Sequence, residues 1–369
     1  MPAILILNYE YPPIGGGAGA ISAAHAEHLA NLGYKVVVVT ASPNGILFQE
    51  SPIKNLSIVR LASIRKKPFQ SGFREKVDWM FKALRYCKRF KPSDFDFCMA
   101  HFSIPGGWIA AQLPFRYGVI SHGHDIPWFY PQQMFIYHVF TYFSIKRIIN
   151  KAEVLWVQSE AMRKNATTFT TKTPVVVIPN GCDAPPDAHP ILFRGGTLRL
   201  LFAGRLVKQK RVDILIEAVK ILNRQNADVH LTIAGDGPLA ADLKKRIRPT
   251  EINIDFIGLV PRENMSALYR NHHVLVASSE AEGMSISVLE ALFHGLYAIT
   301  TAVSGNTDLL KNSALGSLSE PSPEAFAEAI MQYMQHPPSS EKREEVYEKL
   351  VNIHRWESIV KTYVKSMSL

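Results

Sequence analysis

Residues 198–210 have the sequence Leu-Arg-Leu-Leu-Phe-Ala-Gly-Arg-Leu-Val-Lys-Gln-Lys. The largely apolar run Leu198–Ala203 has the length and composition of a buried β-strand, and Gly204 permits a tight turn directly after it. Arg205 and Lys210 follow at the carboxyl end of this strand. Because ligands of open parallel sheets bind at the carboxyl ends of the strands, this stretch predicts both a fold and the position of a cationic site.

Strands and helices alternate on both sides of this stretch. Buried strands that alternate with helices are typical of parallel sheets covered on both faces. The sequence therefore predicts an α/β protein with two Rossmann-like domains, whose parallel sheets face each other across a deep cleft. The other predicted strands are Ala3–Leu7, Lys35–Thr40, Phe97–Ala100, Val119–Ser121, Glu153–Val157, Val175–Ile178, His230–Ala234, Ile252–Ile257, Val274–Ala277 and Tyr297–Thr300.

A stretch rich in Pro and Gly, residues 179–196, separates the two sets of strands, and such a stretch is typical of a domain boundary. We therefore predict a first domain over residues 1–182 and a second over residues 183–352. The final segment, residues 353–369, has apolar side chains at helical spacing. We expect it to form an amphipathic helix that packs back on the first domain.

The composition is that of a globular protein in a reducing compartment. Of the 369 residues, 47% are hydrophobic, and the three cysteines form no Cys-x-x-Cys pair, so neither a disulfide framework nor a zinc site is expected. The N-terminus has no basic region before its first apolar run, which we interpret as a strand and not as a signal peptide. No apolar segment is long enough to span a bilayer. We expect a cytoplasmic protein.

Almost all of the net charge of +9 lies in the first half of the chain, and residues 54–91 alone contain 12 basic and two acidic side chains. Within residues 65–91 the cations alternate with aromatic and aliphatic side chains. A cationic amphipathic helix suits an anionic membrane surface. Nucleic acid is the rival partner, but no recognised nucleic-acid module accompanies this segment. We predict peripheral contact with the inner face of the cytoplasmic membrane and no binding of nucleic acid.

Two glutamates give the strongest indication of function. Residues 282–290 read Glu-Gly-Met-Ser-Ile-Ser-Val-Leu-Glu, which sets Glu282 before a predicted helix and Glu290 within it. A carboxylate can accept hydrogen bonds from two vicinal hydroxyls, which both a hexose and a ribose offer. Arg grips diphosphate oxygens bidentately and Lys adds a point charge. Together with Arg205 and Lys210, the two glutamates predict a site for a nucleotide diphosphate sugar.

Further candidates lie in the first half of the chain. The glycines Gly15–Gly17 lie between the first strand and the first helix, where backbone amides can approach a phosphate or a sugar. No acidic residue follows the second strand, so a nicotinamide or flavin site is not expected. The segment His122-Gly-His-Asp125 follows one predicted strand and His101 ends another. We therefore expect both to line the same cleft, where an imidazole or a carboxylate can contact the transferred sugar or the acceptor.

These segments together resemble glycosyltransferase family 4, whose members are retaining enzymes of the GT-B fold. The resemblance extends over nearly the whole chain, and the spacing of Glu282 and Glu290 is its most specific element. One departure is Asp308, where the family often has Glu. The motifs that match are Tyr11-Pro-Pro-Ile-Gly-Gly-Gly17, His122-Gly-His-Asp125, Pro179-Asn-Gly-Cys-Asp183, Gly204-Arg-Leu-Val-Lys-Gln-Lys210, Ala234-Gly-Asp-Gly-Pro238 and Glu282 to Glu290.

The resemblance implies a role for each candidate residue. Arg205 and Lys210 would bind the donor diphosphate and stabilise the departing phosphate. Glu282 would hold hydroxyls of the donor sugar, Glu290 would bind the ribose, and His122 would contact the sugar near the reacting carbon. Close backbone approach to the donor is implied for Gly16, Gly17, Gly204, Gly283, Met284 and Ser285, and the acceptor-side candidates are Gly15, His101, His122 and Asp125.

The implied reaction is transfer of a hexose-type sugar, with retention, from a UDP- or GDP-linked donor to a saccharide or lipid-linked acceptor in surface polysaccharide or glycolipid synthesis. The nucleotide sugar is a co-substrate, and the resemblance implies neither a cofactor nor a metal. Two alternatives remain. A nucleotide-sugar epimerase of the same fold would need acid and base groups around the sugar and no acceptor site. A non-catalytic nucleotide-sugar-binding module would retain the donor site alone.

Overall fold

The computed structural model describes residues 1–65, 71–123, 125–129, 131–183, 185, 188–247, 253–311 and 314–369, and for residues 131–134 it describes the backbone alone. His124, Ile252 and part of the basic segment, all of which figure in the sequence predictions, lie outside these residues. The chain forms two compact units. One contains Met1–Gly181 and Trp356–Leu369, and the other contains Cys182–Arg355.

The first unit is built on an eight-stranded sheet with the order β3-β4-β2-β1-β5-β6-β7-β8. All of its strand pairs are parallel except that of β3 with β4. The strands are β1 Ala3–Leu7, β2 Lys35–Ala41, β3 Phe48–Glu50, β4 Leu56–Leu61, β5 Phe97–His101, β6 Tyr117–Ile120, β7 Val154–Val157 and β8 Val175–Val177. The helices are α1 Gly17–Asn31, α2 Phe73–Cys87, α3 Trp108–Ala110, α4 Pro131–Lys151 and α5 Glu160–Phe169, and an irregular helical turn spans Phe102–Gly107.

Helices cover both faces of this sheet, so the side chains on both sides of its central strands β1, β5 and β6 are buried. All five side chains of β1 are buried. Leu5 and Leu7, on one side of β1, belong to a core that also contains buried side chains of α2, α3, α4 and α5. Because the side chains of a strand alternate between the faces, Ile4 and Ile6 point to the opposite face.

The second unit contains a six-stranded sheet with the order β11-β10-β9-β12-β13-β14, and all of its strand pairs are parallel. The strands are β9 Leu198–Ala203, β10 Val229–Ala234, β11 Ile254–Gly258, β12 Val274–Ala277, β13 Tyr297–Thr301 and β14 Gly316–Ser319. The helices are α6 Val212–Arg224, α7 Ala240–Lys245, α8 Arg262–Arg270, α9 Ile286–Phe293, α10 Ser304–Leu309, α11 Pro323–Gln335 and α12 Ser340–His354, and a 3₁₀ turn spans Lys208–Lys210.

The last helix, α13 at Trp356–Met367, belongs to the first unit. The ring of Tyr363 lies 5.1 Å from that of Trp156 in β7, and the Trp156 indole N–H donates to Ser366 Oγ at 2.8 Å. The predicted helical segment 353–369 therefore needs a correction at its start. Residues 353 and 354 complete α12, and Arg355 has extended backbone that separates the two helices. The second unit accordingly ends at Arg355 and not at residue 352.

Candidate functional site

The predicted cation Lys210 and the first predicted glutamate, Glu282, meet at one edge of the second sheet. Strands β9 and β12 are neighbours, so the loops after their carboxyl ends run side by side. Ser278 Oγ, just after β12, donates to the carbonyl oxygens of Lys210 and Arg211 at 3.0 and 2.7 Å. The Glu280 amide donates to the Gln209 carbonyl at 2.9 Å. These hydrogen bonds fix the backbone that carries Lys210 against the loop that carries Glu282.

Lys210 and Glu282 form a hydrogen-bonded ion pair, although 72 positions separate them in the sequence. Their side chains are 19% and 14% exposed, so the pair is largely withdrawn from water but still accessible to a ligand. An ammonium has three N–H donors and a carboxylate has two oxygens. Both groups therefore keep hydrogen-bonding capacity for a phosphate and a sugar hydroxyl. Arg205, at the start of the same loop, is exposed.

The turn at Gly204 is hydrogen-bonded to the end of β10 and to the loop that follows it. The Gly204 amide donates to Ala234 O at 3.0 Å, and the Leu206 amide donates to Asp236 O at 2.9 Å. A Cβ at Gly235 would lie 1.9 Å from the Gly204 carbonyl oxygen, and φ of Gly235 is +139°. Glycine is thus required at residue 235 both by the backbone conformation and by the space available.

Gly235→Ala is expected to lower the free energy of unfolding by about 1–3 kcal/mol, because it combines a strained φ with a steric overlap. Urea titration followed by circular dichroism measures this loss. Gly196→Ala is the matched control, since Gly196 has a φ of +77° but a Cβ there meets no described atom within 4 Å. If both variants lose the same stability, the overlap with Gly204 does not matter.

The segment between the two glutamates begins a helix, as predicted. Ser285 occupies the N-cap position of α9. The Gly305 amide, at the start of α10, donates to the Gly283 carbonyl at 2.9 Å, so the first turn of α10 holds this segment. The Met284 side chain is buried. The start of α9 can therefore present backbone N–H groups and a positive helix end to a ligand.

Glu290 lies inside α9 and is half-buried beside α8. The Tyr269 hydroxyl donates to Glu290 Oε2 at 2.9 Å. Burial raises the pKa of Glu290, while this hydrogen bond and the charge of Arg262 act in the opposite direction. Sequence reasoning did not identify Tyr269, because no local pattern marks a residue that contacts the site from a different helix.

The glycine loop of the first unit is bonded to an acidic residue that no sequence motif indicates. Gly16 is the N-cap of α1 and Gly17 its first residue. The Gly16 amide donates to Glu10 Oε2 at 3.0 Å. A Cβ at Gly15 would lie 2.5 Å from Glu10 Cβ. An anion that approaches Gly16 must therefore displace the Glu10 carboxylate from this amide.

His101, His122 and Asp125 come together at the ends of β5 and β6. His101 Nδ1 and His122 Nε2 are 3.0 Å apart. Burial lowers the pKa of His122 to about 4, against the charges of Asp125 and Glu10, which raise it. The pKa of His101 is also lowered by burial, so both rings are neutral at pH 7.

Two of these candidates have buried side chains. Asp125 accepts hydrogen bonds at 2.8 Å from Ser121 Oγ and from the amides of His122 and Ser103. The His101 ring is fully buried and contacts the His122 ring. Of the three candidates, His122 alone is partly exposed.

Two family models together match almost the whole chain. The model described as Glycosyltransferase Family 4 matches residues 15–184, and the model described as Glycosyl transferases group 1 matches residues 187–350. Each model thus covers most of one of the two halves predicted from the sequence.

Two curated proteins are similar to this chain over part of its length. A phosphatidylinositol N-acetylglucosaminyltransferase component of Arabidopsis thaliana is 26% identical over 191 residues, which are 51% of this chain and 42% of that protein. The chain thus spans less than half of that relative. Alpha-monoglucosyldiacylglycerol synthase of Streptococcus pneumoniae is 21% identical over 333 residues, covering 85% of this chain and 74% of that protein.

A solved structure of sucrose-phosphate synthase from Thermosynechococcus elongatus has the same fold. Its TM-score is 0.81 at 18% sequence identity, with 99% of this chain and 98% of that chain covered. This likeness confirms the predicted fold class of two parallel-sheet α/β domains. The chain therefore belongs to glycosyltransferase family 4, a family of transferase enzymes with the GT-B fold.

Proposed function

We propose that this protein is a retaining glycosyltransferase that moves a hexose-type sugar from a UDP- or GDP-linked donor to a saccharide or lipid-linked acceptor, in the synthesis of surface polysaccharide or glycolipid. The observation that carries the proposal is the ion pair of Lys210 with Glu282 at the carboxyl edge of the second sheet. It places a cation that suits a phosphate beside a carboxylate that suits sugar hydroxyls. Two relatives named for lipid substrates or products support the glycolipid part.

The donor would be held by groups of the second unit. Lys210 and the exposed Arg205 would bind the diphosphate, Glu282 would accept hydrogen bonds from sugar hydroxyls, and Glu290 would bind the ribose. The amides at the start of α9 suit a phosphate or a sugar oxygen. Because two cations supply positive charge at the leaving group, this arrangement requires no divalent metal.

The transfer step would proceed on one face of the sugar. The bond between the anomeric carbon and the phosphate oxygen breaks, and the bond from the acceptor oxygen forms on the same face. The acceptor hydroxyl gives its proton to the departing phosphate, which leaves as the nucleoside diphosphate. His122, neutral at pH 7 because burial lowers its pKa to about 4, would contact the sugar near the reacting carbon without adding a competing cation.

The first unit would hold the acceptor and would contact the anionic inner face of the cytoplasmic membrane. Within the described residues, no helix combines the length and the apolarity that crossing a membrane requires. Helix α2 and the residues that follow it carry exposed cations, namely Arg74, Lys82, Arg85, Lys88, Arg89 and Lys91. These cations lie within the predicted basic segment 65–91, and a positively charged surface of this kind suits peripheral binding.

A thermal-shift screen with UDP, GDP, ADP and their common sugar conjugates tests the donor site. We expect one nucleotide series to raise the melting temperature. Incubation with that sugar donor and candidate lipid or saccharide acceptors, followed by NMR of the anomeric proton, then tests transfer and retention. An epimerized donor without any need for acceptor would point to the epimerase alternative. Binding without any turnover would point to the non-catalytic module.

A further inference from the structure

Helix α4 presents an apolar face to solvent. Five of its side chains are exposed: Phe135 57%, Ile136 72%, Val139 48%, Phe140 83% and Phe143 82%. On an α-helix with 3.6 residues per turn they lie within an arc of about 140°. Contiguous exposed apolar surface of this kind marks an interaction site.

The opposite face of α4 accounts for the attachment of the helix to the first unit. Ile145, Ile148 and Ile149 are buried in the core beneath the helix. With 3.6 residues per turn, the mean direction of these three side chains is roughly opposite to that of Phe140 and Phe143. The exposed face is therefore not needed for packing within this unit.

The charge around this face is positive. Helix α4 contains no Asp or Glu, and its last two turns carry Lys146, Arg147 and Lys151. The basic helix α2 contributes buried side chains to the same core as α4, so both helices cover one face of the sheet. Its exposed cations therefore belong to the same side of the unit as the apolar face.

We propose that α4 lies in the plane of an anionic lipid surface and inserts Phe140 and Phe143 among the acyl chains. A helix that is apolar on one side and flanked by cations fits such a surface. A second copy of this chain fits poorly, because an isologous contact would bring the same positive charges together.

The proposal rests on the membrane contact that is part of the proposed function. It assigns the insertion into the membrane to a different helix from the one that the sequence predicts. The sequence predicts contact through residues 65–91. In the structure, however, α2 buries Trp79 and Leu84, and the large apolar side chains that it exposes are Phe73 and Phe81. We assign electrostatic attraction to α2 and insertion to α4.

Sedimentation with sucrose-loaded vesicles tests the assignment. The full chain is mixed with vesicles of three parts phosphatidylcholine and one part phosphatidylglycerol, or of phosphatidylcholine alone, at low and high salt. We expect wild type to bind the anionic vesicles and to keep part of this binding at high salt. Phe140→Ser/Phe143→Ser, which leaves the net charge unchanged, is expected to lower the partition coefficient by about tenfold or more and to abolish the salt-resistant part.

The matched control is Leu259→Ser/Ile353→Ser, which removes two apolar side chains of the second unit that are 58% and 60% exposed. It should bind like wild type. Arg85→Gln/Arg89→Gln in the basic segment should weaken binding at low salt only. Unchanged melting temperatures confirm that each variant is folded.

Two results would overturn the inference. If the phenylalanine variant binds like wild type while the arginine variant does not, the contact is electrostatic and α4 has no part in it. If wild type ignores anionic vesicles but the phenylalanine variant changes its oligomeric state in solution, the face binds protein. Because no donor or acceptor is present, neither result bears on the transferase activity, which the nucleotide screen tests separately.

Discussion

Replacing Lys210 by alanine is expected to lower kcat for sugar transfer by about 10²- to 10³-fold, the usual cost of removing one preorganised group that stabilises developing negative charge. Lys210 is held beside Glu282, and its loop is bonded to the loop after β12. The ammonium therefore needs no reorganisation when the phosphate departs. Steady-state rates of nucleoside diphosphate release, measured with saturating donor and acceptor, give kcat.

Lys208→Ala is the control for this prediction. Lys208 lies in the same 3₁₀ turn and is exposed. Because both residues are lysine, the two substitutions make the same change in net charge. We expect the kcat of Lys208→Ala to stay within about twofold of wild type, since Lys208 is not among the residues that would contact the donor. Equal losses in the two variants would mean that general positive charge, and not the position of Lys210, supports the reaction. Removal of Lys210 also leaves Glu282 unpaired, so Lys210→Ala/Glu282→Gln shows how much of the loss comes from that carboxylate.

Glu290→Gln is expected to raise the Kd of the nucleotide by about 10- to 100-fold, because a hydrogen bond to a charged group contributes about 1.5–3 kcal/mol. Gln has nearly the same shape as Glu, and its amide oxygen can still accept the hydrogen bond from Tyr269. The fold of α9 should therefore be preserved. Calorimetric titration with the nucleotide identified in the thermal screen gives the Kd.

The same residue should give nucleotide binding a pH dependence. Burial raises the pKa of Glu290, and the ionised carboxylate is the better acceptor for ribose hydroxyls. The affinity of wild type should fall as the pH is lowered through this raised pKa, and that dependence should vanish in Glu290→Gln. Tyr269→Phe removes a hydrogen bond that lowers the pKa of Glu290, so the midpoint of the fall should move to higher pH. An identical pH profile in wild type and Glu290→Gln would contradict the assignment.

Most strands could be predicted because apolar side chains dominate them, even where a charged residue interrupts the run, as Arg199 does in β9. Each predicted strand overlaps a strand of the structure, but β3 and β4 were not predicted, and β4 contains both Ser57 and Arg60. Arg60 is buried there because it donates to Glu50 Oε1 of β3 and to the Pro12 carbonyl, both at 2.6 Å. These partners lie elsewhere in the sequence. Strand β14, Gly316–Ser319, is short and polar at the sheet edge, and it carries no strand pattern.

The site could be predicted as a set of residue types but not as a set of contacts. The motifs identify Lys210 and Glu282, but their ion pair depends on the adjacency of β9 and β12, which no local pattern encodes. No local pattern predicts the hydrogen bond from the Gly16 amide to Glu10 either. His101 illustrates the limit differently, since the end of a strand predicts proximity to a site but not whether the ring is exposed or buried.

The return of α13 to the first unit has a consequence for biosynthesis. The chain passes from one unit to the other after Gly181 and again after Arg355. These two points lie side by side, because the Cys182 amide donates to the His354 carbonyl at 2.8 Å. A ribosome has therefore completed the entire second unit before it supplies Trp356 and Tyr363, whose rings lie 5.3 and 4.5 Å from that of His25 in α1. The second unit can fold during translation, whereas the first is complete only after α13 has been synthesised and has packed against His25 of α1.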